Sequence, residues 1–208
     1  MEVELQYDSL DLNASTIVTT ILSECSAITD YRTLRDSLPR RLASLLKCRC
    51  VLLYQRIGET LQFASGSFDD TPGWSAALLS VAHIHPIDLA GNTPEARAWR
   101  SRHVITTPVD NAHPTLIAVP LLYRRHTIGV LVATRNAGAD ATRFPLYWRQ
   151  QDSVVVEAVG RVVALLLENT RLLERDRERI SELSLLNSIA SQLNCSMYEF
   201  ERIQQIVI

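Results

Sequence analysis

From Pro145 to Leu193 the chain holds no further proline and a single glycine, Gly160. Those are the two residue types that most readily interrupt a helix. One long helix is therefore predicted over this stretch. At ~1.5 Å per residue it would run roughly 65–70 Å, against ~30–40 Å for a globular domain built from the rest. Such a helix must outrun its own domain and bury its apolar side elsewhere. A chain of this kind reads as a module with a helical extension that pairs with another copy, not as a free-standing enzyme.

The extension changes character along its length. Residues 153–167 (SVVVEAVGRVVALLL) are apolar almost all round, which means burial on more than one side. The run is too short, and too charged at Glu157 and Arg161, for a membrane span. Beyond Leu167 the sequence is mostly charged with a thin apolar stripe. Steps of seven from Val159 meet Leu166, Leu173 and Ile180; steps of seven from Val155 meet Val162, Asn169, Asp176 and Leu183. This is an a/d seam with two polar d positions, which cost stability but can fix register and partner number. The expected partner is a second copy, in a parallel homodimer through Val155, Val159, Val162, Leu166, Leu173, Ile180 and Leu183. The other reading is a solvated single helix resting on its own domain.

The 208 residues suffice for one domain of ordinary size plus an extension, and an apolar share of 47% supplies a core. Net charge is −2 with both signs interleaved, so nothing supports nucleic-acid binding. The acidic opening MEVELQYDSLDL lacks the apolar centre of a signal peptide. Four irregularly spaced cysteines give no disulfide framework. A reducing cytoplasm is the expected setting, with no membrane span in this chain.

Residues 14–28 read as a first helix. A second carries Leu34, Leu38, Leu42 and Leu45/Leu46, with Pro39 expected to kink or restart it. CRCVLLYQR (48–56) and TLQFASG (60–66) read as a hairpin. Two short helices are expected around Ser75–His83 and Pro94–Ser101, the second with Thr93 as N-cap. HVITTPV (103–109) is a strand, and 115–123 with 127–135 form a second hairpin around Arg124-Arg125-His126. Helices stand before and after the strands rather than between them, which predicts an α+β fold with an antiparallel central sheet flanked by helices. The expected organisation is a tail (1–13), a domain (14–167), a coiled coil (168–193) and the start of a following module (194–208). Residues 184–207 repeat the plan of 19–42: apolar helix, polar break, helix.

The stretch IAVPLLYRRHTIGVLVATR (117–135), the hairpin VLLYQRIGETLQFASGSF, and Phe144 and Asp152 leading into a helix ending near ENTRLLER together resemble a GAF domain over roughly 14–170. Residues 168–193, with Glu174-Arg175-Asp176, resemble the signalling helix that joins sensory modules to output domains, as in bacterial sensor histidine kinases. The resemblance implies a cytoplasmic sensory and dimerisation module that binds an unidentified small ligand between the sheet and residues 67–114. No cofactor is implied by name. The candidate pocket residues are Tyr54, Trp74, His83, His85, Trp99 and Asp110, against plain core packing for the aromatics.

His83 and His85 share a face only on a strand, and no third ligand is suitably spaced, so no metal site is expected. Cys48 and Cys50 are expected as reduced, buried neighbours on one face of a strand. No cysteine lies between Cys50 and Cys195, which counts against covalent bilin attachment and against methionine-sulfoxide reduction. The Asn-Lys pair of cyclic-nucleotide GAF domains is absent. The expectation is a binding module and no enzyme; the alternatives are a ligand-free dimerisation module and a redox enzyme of the free methionine sulfoxide reductase type.

Overall fold

The computed structural model describes residues 14–68, 85–107, 115–135 and 148–206, the last by backbone alone beyond Leu193. The tail 1–13 and the helix expected around Ser75–His83 lie outside these residues. Helix α1 is Ala14–Cys25, and α2 is Tyr31–Leu46. Asp30 caps α2: its carboxylate accepts the Thr33 N–H at 2.6 Å. Leu34, Leu38, Leu42 and Leu46, at helical spacing, are all buried. The helix ends at Lys47, whose φ of 49° is left-handed.

Pro39 does not restart α2, which is one helix throughout. A proline cannot donate to the carbonyl four residues back. That carbonyl belongs to Arg35, and the Ser65 hydroxyl donates to it instead, at 2.7 Å. The hydrogen bond missing inside the helix is replaced by one that ties α2 to the sheet.

The described strands are β1 (Cys50–Ile57), β2 (Thr60–Phe68), β3 (Ile87–Asp88), β4 (Ile105–Thr106), β5 (Thr115–Tyr123) and β6 (His126–Arg135), with α3 (Pro94–Ser101) between β3 and β4. They form one sheet in the order β3-β2-β1-β6-β5-β4, antiparallel at every pairing. This is the expected α+β architecture. Gly58, with φ of 62°, turns the first hairpin, and Arg124, with φ of 55°, turns the second. The second turn is tighter than expected, because His126 already pairs with Tyr123.

The sheet is buried on both faces. On one, Val51, Leu53, Ile117, Val119, Leu131 and Ala133 meet the apolar stripes of α1 and α2 and the start of helix α4 (Gln150–Ile206). Gly160 sets the closeness of that contact: a Cβ there would lie 2.6 Å from Cγ1 of Val119. Val155 and Val159 belong to this core, at 7% and 0% exposure, with Val162 and Leu166 packed partly against it. The place of Val155 and Val159 in a partner-facing seam is thereby corrected: these two serve the chain's own sheet.

Two compact units divide the chain, Met1–Glu168 and Asn169–Ile208. In the second, Leu173, Ile180 and Leu183 are exposed. The polar break expected within 184–207 is not a break in the backbone, which stays helical through Ile206. With no proline or glycine there, nothing interrupts the hydrogen bonding. No helix of the described residues is long and apolar enough to cross a membrane.

Candidate functional site

The other face of the sheet differs in chemistry. Strand alternation sends Cys50, Leu52 and Tyr54 of β1 to it, with Val130 and Val132 of β6 and Ala118 of β5. Strand β2 reaches it through a bulge. Leu53 pairs with Ser65 but Tyr54 pairs with Phe63, so one residue is extra. The bulge shifts the alternation, so Leu61 and Phe63 before it and Phe68 after it serve the same face. Gly66 keeps that face open, since a Cβ there would stand 2.9 Å from Leu52 and 3.0 Å from Phe63.

Tyr54 and Phe63 meet edge to face, ring centroids 6.2 Å apart. Helix α3 lies over this side. Thr93 caps it, accepting the Ala96 N–H at 3.3 Å, with Pro94 at the first helical position, as the sequence suggests. Ala98 is buried and Trp99 half-buried in the cluster. The Arg56 guanidinium lies 5.7 Å from the Trp99 ring centre. Arg100 fastens the chain leading into α3, donating to the carbonyls of Leu89 and Gly91. Burial, and then the charge of Glu95, push the Tyr54 phenol well above its ordinary range.

Of the candidate pocket residues, Tyr54 and Trp99 thus fall on one face, one buried on β1 and one half-buried on α3. His85 is exposed ahead of β3. Trp74, His83 and Asp110 lie outside the described residues. Among those described, no group of three His, Cys, Asp or Glu side chains could hold a metal ion.

Cys48 and Cys50 are both buried, but on opposite faces, which corrects the shared face expected of them. The left-handed Lys47 and the bend at Arg49 interrupt the alternation, so Cys48 joins the core under the helices and only Cys50 starts the strand. Burial pushes both thiols up to about 12, against the smaller opposing effects of Arg135 on Cys48 and a Thr134 hydrogen bond on Cys50.

Strand β6 ends on a group that sequence reasoning missed. Arg135 follows Leu131 and Ala133 onto the helical face, where an apolar residue belongs, and is 1% exposed. Its Nη1 donates to Asp152 Oδ2 at 2.6 Å, its Nη2 donates to the Leu46 carbonyl at 3.1 Å, and its guanidinium lies 3.8 Å from the Trp148 ring centre. Asp152 also accepts the Arg149 N–H, at 3.1 Å. One side chain joins the end of α2, the end of β6 and the first turn of α4. A charge at an inward strand position was the signal available.

No protein-family model matches the sequence, and no curated protein matches it. Solved structures match the fold. The GAF domain of an Acinetobacter phosphoenolpyruvate-protein phosphotransferase superposes with TM-score 0.59 at 13% identity, over 78% of this chain and 97% of that one. A GAF domain/HD domain protein from Geobacter sulfurreducens gives 0.56 at 18%, over 71% and 98%. The free methionine-R-sulfoxide reductase of Neisseria meningitidis, solved with its substrate, gives 0.58 at 16%, over 76% and 90%. The fold is that of a GAF domain.

Proposed function

We propose that this chain is a cytoplasmic sensory module of a signal-transduction protein, which binds a small molecule on the second face of its sheet, pairs with a second copy and relays its state through α4. The observation that carries this reading is the unequal chemistry of the two sheet faces. The fully buried core of the helical face is mostly close-packed aliphatic side chains, with Tyr31, Tyr123 and Trp148 only packed against it. The other gathers Tyr54, Phe63, Phe68 and Trp99, three of them half-buried. Apolar and aromatic linings with a few polar groups are what small-ligand sites use. Coupling follows from β6, whose Val130 and Val132 serve that face while Arg135 at its end holds Asp152 of α4. A ligand shifts the helix only if it binds two arrangements with different affinity.

Native mass spectrometry of the purified protein reads oligomeric state and retained ligand together. Hydrogen exchange during a metabolite screen is the decisive test. Protection is expected to rise within 67–114 and to change within 165–183. Protection confined to 67–114 would mean binding without relay, and no response to any compound would favour a ligand-free dimerisation module.

The likeness to free methionine-R-sulfoxide reductases favours a second, enzymatic reading. Against it stand thiols protonated at neutral pH, since the thiolate is the nucleophile. Turnover of free methionine-R-sulfoxide by the purified protein, abolished by Cys50→Ser, would replace the sensory reading.

A further inference from the structure

The second face of the sheet holds two polar groups that its packing leaves without partners. Tyr54 of β1 is 5% exposed, and among the described residues its hydroxyl makes no hydrogen bond. A buried hydroxyl that gives up water without a new partner costs stability, so native folds almost always supply one. The other group is Glu95, in the first turn of α3. It stands three and four residues before Ala98 and Trp99, which puts it on the helix face that covers this side of the sheet. Glu95 is half-buried and, among the described residues, joins no ion pair. Its charge reaches Tyr54, where it adds to the effect of burial on the phenol. The helix dipole explains an acidic residue in that turn, but not one on the inward side.

The other described charges near this face are already engaged. Arg56 alternates onto it from Tyr54, but its guanidinium donates to the Gly58 carbonyl at 2.8 Å and to the Glu59 carboxylate at 3.3 Å. Arg100 donates to the carbonyls of Leu89 and Gly91. Phe63, Phe68 and Trp99 are each half-buried, so part of every ring remains accessible.

We propose that the ligand of this face is an organic cation with an aromatic or apolar body, whose ammonium group donates to the Tyr54 hydroxyl and the Glu95 carboxylate. The assignment rests on the small-molecule reading above and names the chemistry of its ligand. A carboxylate only accepts, and a phenol oxygen can accept, so the two together call for a donor. A protonated amine brings several N–H groups and a charge that offsets Glu95. An anionic ligand would meet like charge in a half-buried setting, where repulsion is poorly screened. A neutral apolar ligand would leave both polar groups as they are. The rings suit a cation twice, since they cover its apolar body and attract its charge through their faces.

The test uses the full chain and three probes of nearly equal size: phenethylammonium, phenethyl alcohol and phenylacetate. Binding is read by calorimetry and by ligand-observed magnetic resonance. Phenethylammonium is expected to bind about tenfold or more tightly than phenethyl alcohol, the factor a charge-assisted hydrogen bond supplies, with phenylacetate weakest. Glu95→Gln, which keeps the side chain's shape, should erase that preference and leave phenethyl alcohol unchanged. Tyr54→Phe should weaken phenethylammonium several-fold. Equal affinity for the three probes, or a preference for phenylacetate, overturns the cationic class while a small-molecule site on this face stands. A cation preference that Glu95→Gln leaves intact overturns the assigned residues. If no probe binds but a metabolite raises hydrogen-exchange protection in 67–114, the class falls and the sensory reading stands. If no probe binds and the exchange screen is flat, both fall.

Discussion

Arg135 shows what one misplaced charge does to a fold. It is 1% exposed, and its neutralisation depends on Asp152, itself 8% exposed. Removing one member of a buried ion pair leaves the other uncompensated. Arg135→Met should therefore lower stability by about 3–5 kcal/mol in urea unfolding, and Asp152→Leu added to it should recover much of the loss. If the double variant is no better than the single, the pair is not acting as a unit. The thiols give a second prediction, in pH. Unfolded cysteine ionises near pH 8.5, roughly as in model peptides, whereas native Cys48 and Cys50 ionise only at about 12. Their burial contributes stability that is full below the unfolded value and is lost progressively as pH rises towards about 12. Cys48→Ala should flatten the decline in that window, and thiol reagents should label neither residue rapidly at neutral pH. The burial of these thiols was legible from an apolar strand. Their opposite orientation was not, because a left-handed Lys47 leaves no mark in hydrophobic alternation.

Helix α2 survives an internal proline because the sheet supplies what the helix lacks. This makes a sharp prediction. Ser65→Ala should cost roughly 1–3 kcal/mol by leaving the Arg35 carbonyl unpaired. In a Pro39→Ala background the helix regains its own donor, and the same change should become nearly neutral. A double-mutant cycle by chemical denaturation checks it. At the α4–β5 contact, Gly160→Ala gains helix propensity but drives a methyl to 2.6 Å from Val119, whose β-branched side chain is stiff. The expected net effect is destabilisation of about 1–3 kcal/mol, relieved by Val119→Ala. Elements such as these were readable where periodicity reports burial directly: the leucines of α2, the two hairpins, and the Thr93-Pro94 start of α3. The heptad arithmetic misled for a physical reason. Val155 and Val159 have the spacing of a partner-facing seam, but spacing records only that a helix face is buried, not whose surface buries it. Chemistry of the second face was harder still, since Tyr54 and Trp99 are far apart in sequence and come to one face only through the pairing of β1 with its neighbours and the placement of α3.

For the whole molecule, the reading stands or falls on association. Leu173→Asp with Ile180→Asp should convert a sedimenting dimer to a species of half its mass, with the helical circular dichroism of the domain retained. A variant that stays dimeric would move the association surface elsewhere. The stacking of Trp148 on Arg135, with the ring centre 3.8 Å from the guanidinium, has a spectroscopic consequence. An indole held against a full positive charge feels a strong local field, and its emission energy and lifetime change when that charge moves. Trp148 stands two residues before α4, so it is a natural optical gauge of the junction between sheet and helix. A chain reduced to this tryptophan, by Trp74→Phe and Trp99→Phe, would report any shift of Arg135 in real time and without an attached dye, in stopped-flow mixing or under pressure, with Arg135→Met as the zero of the scale.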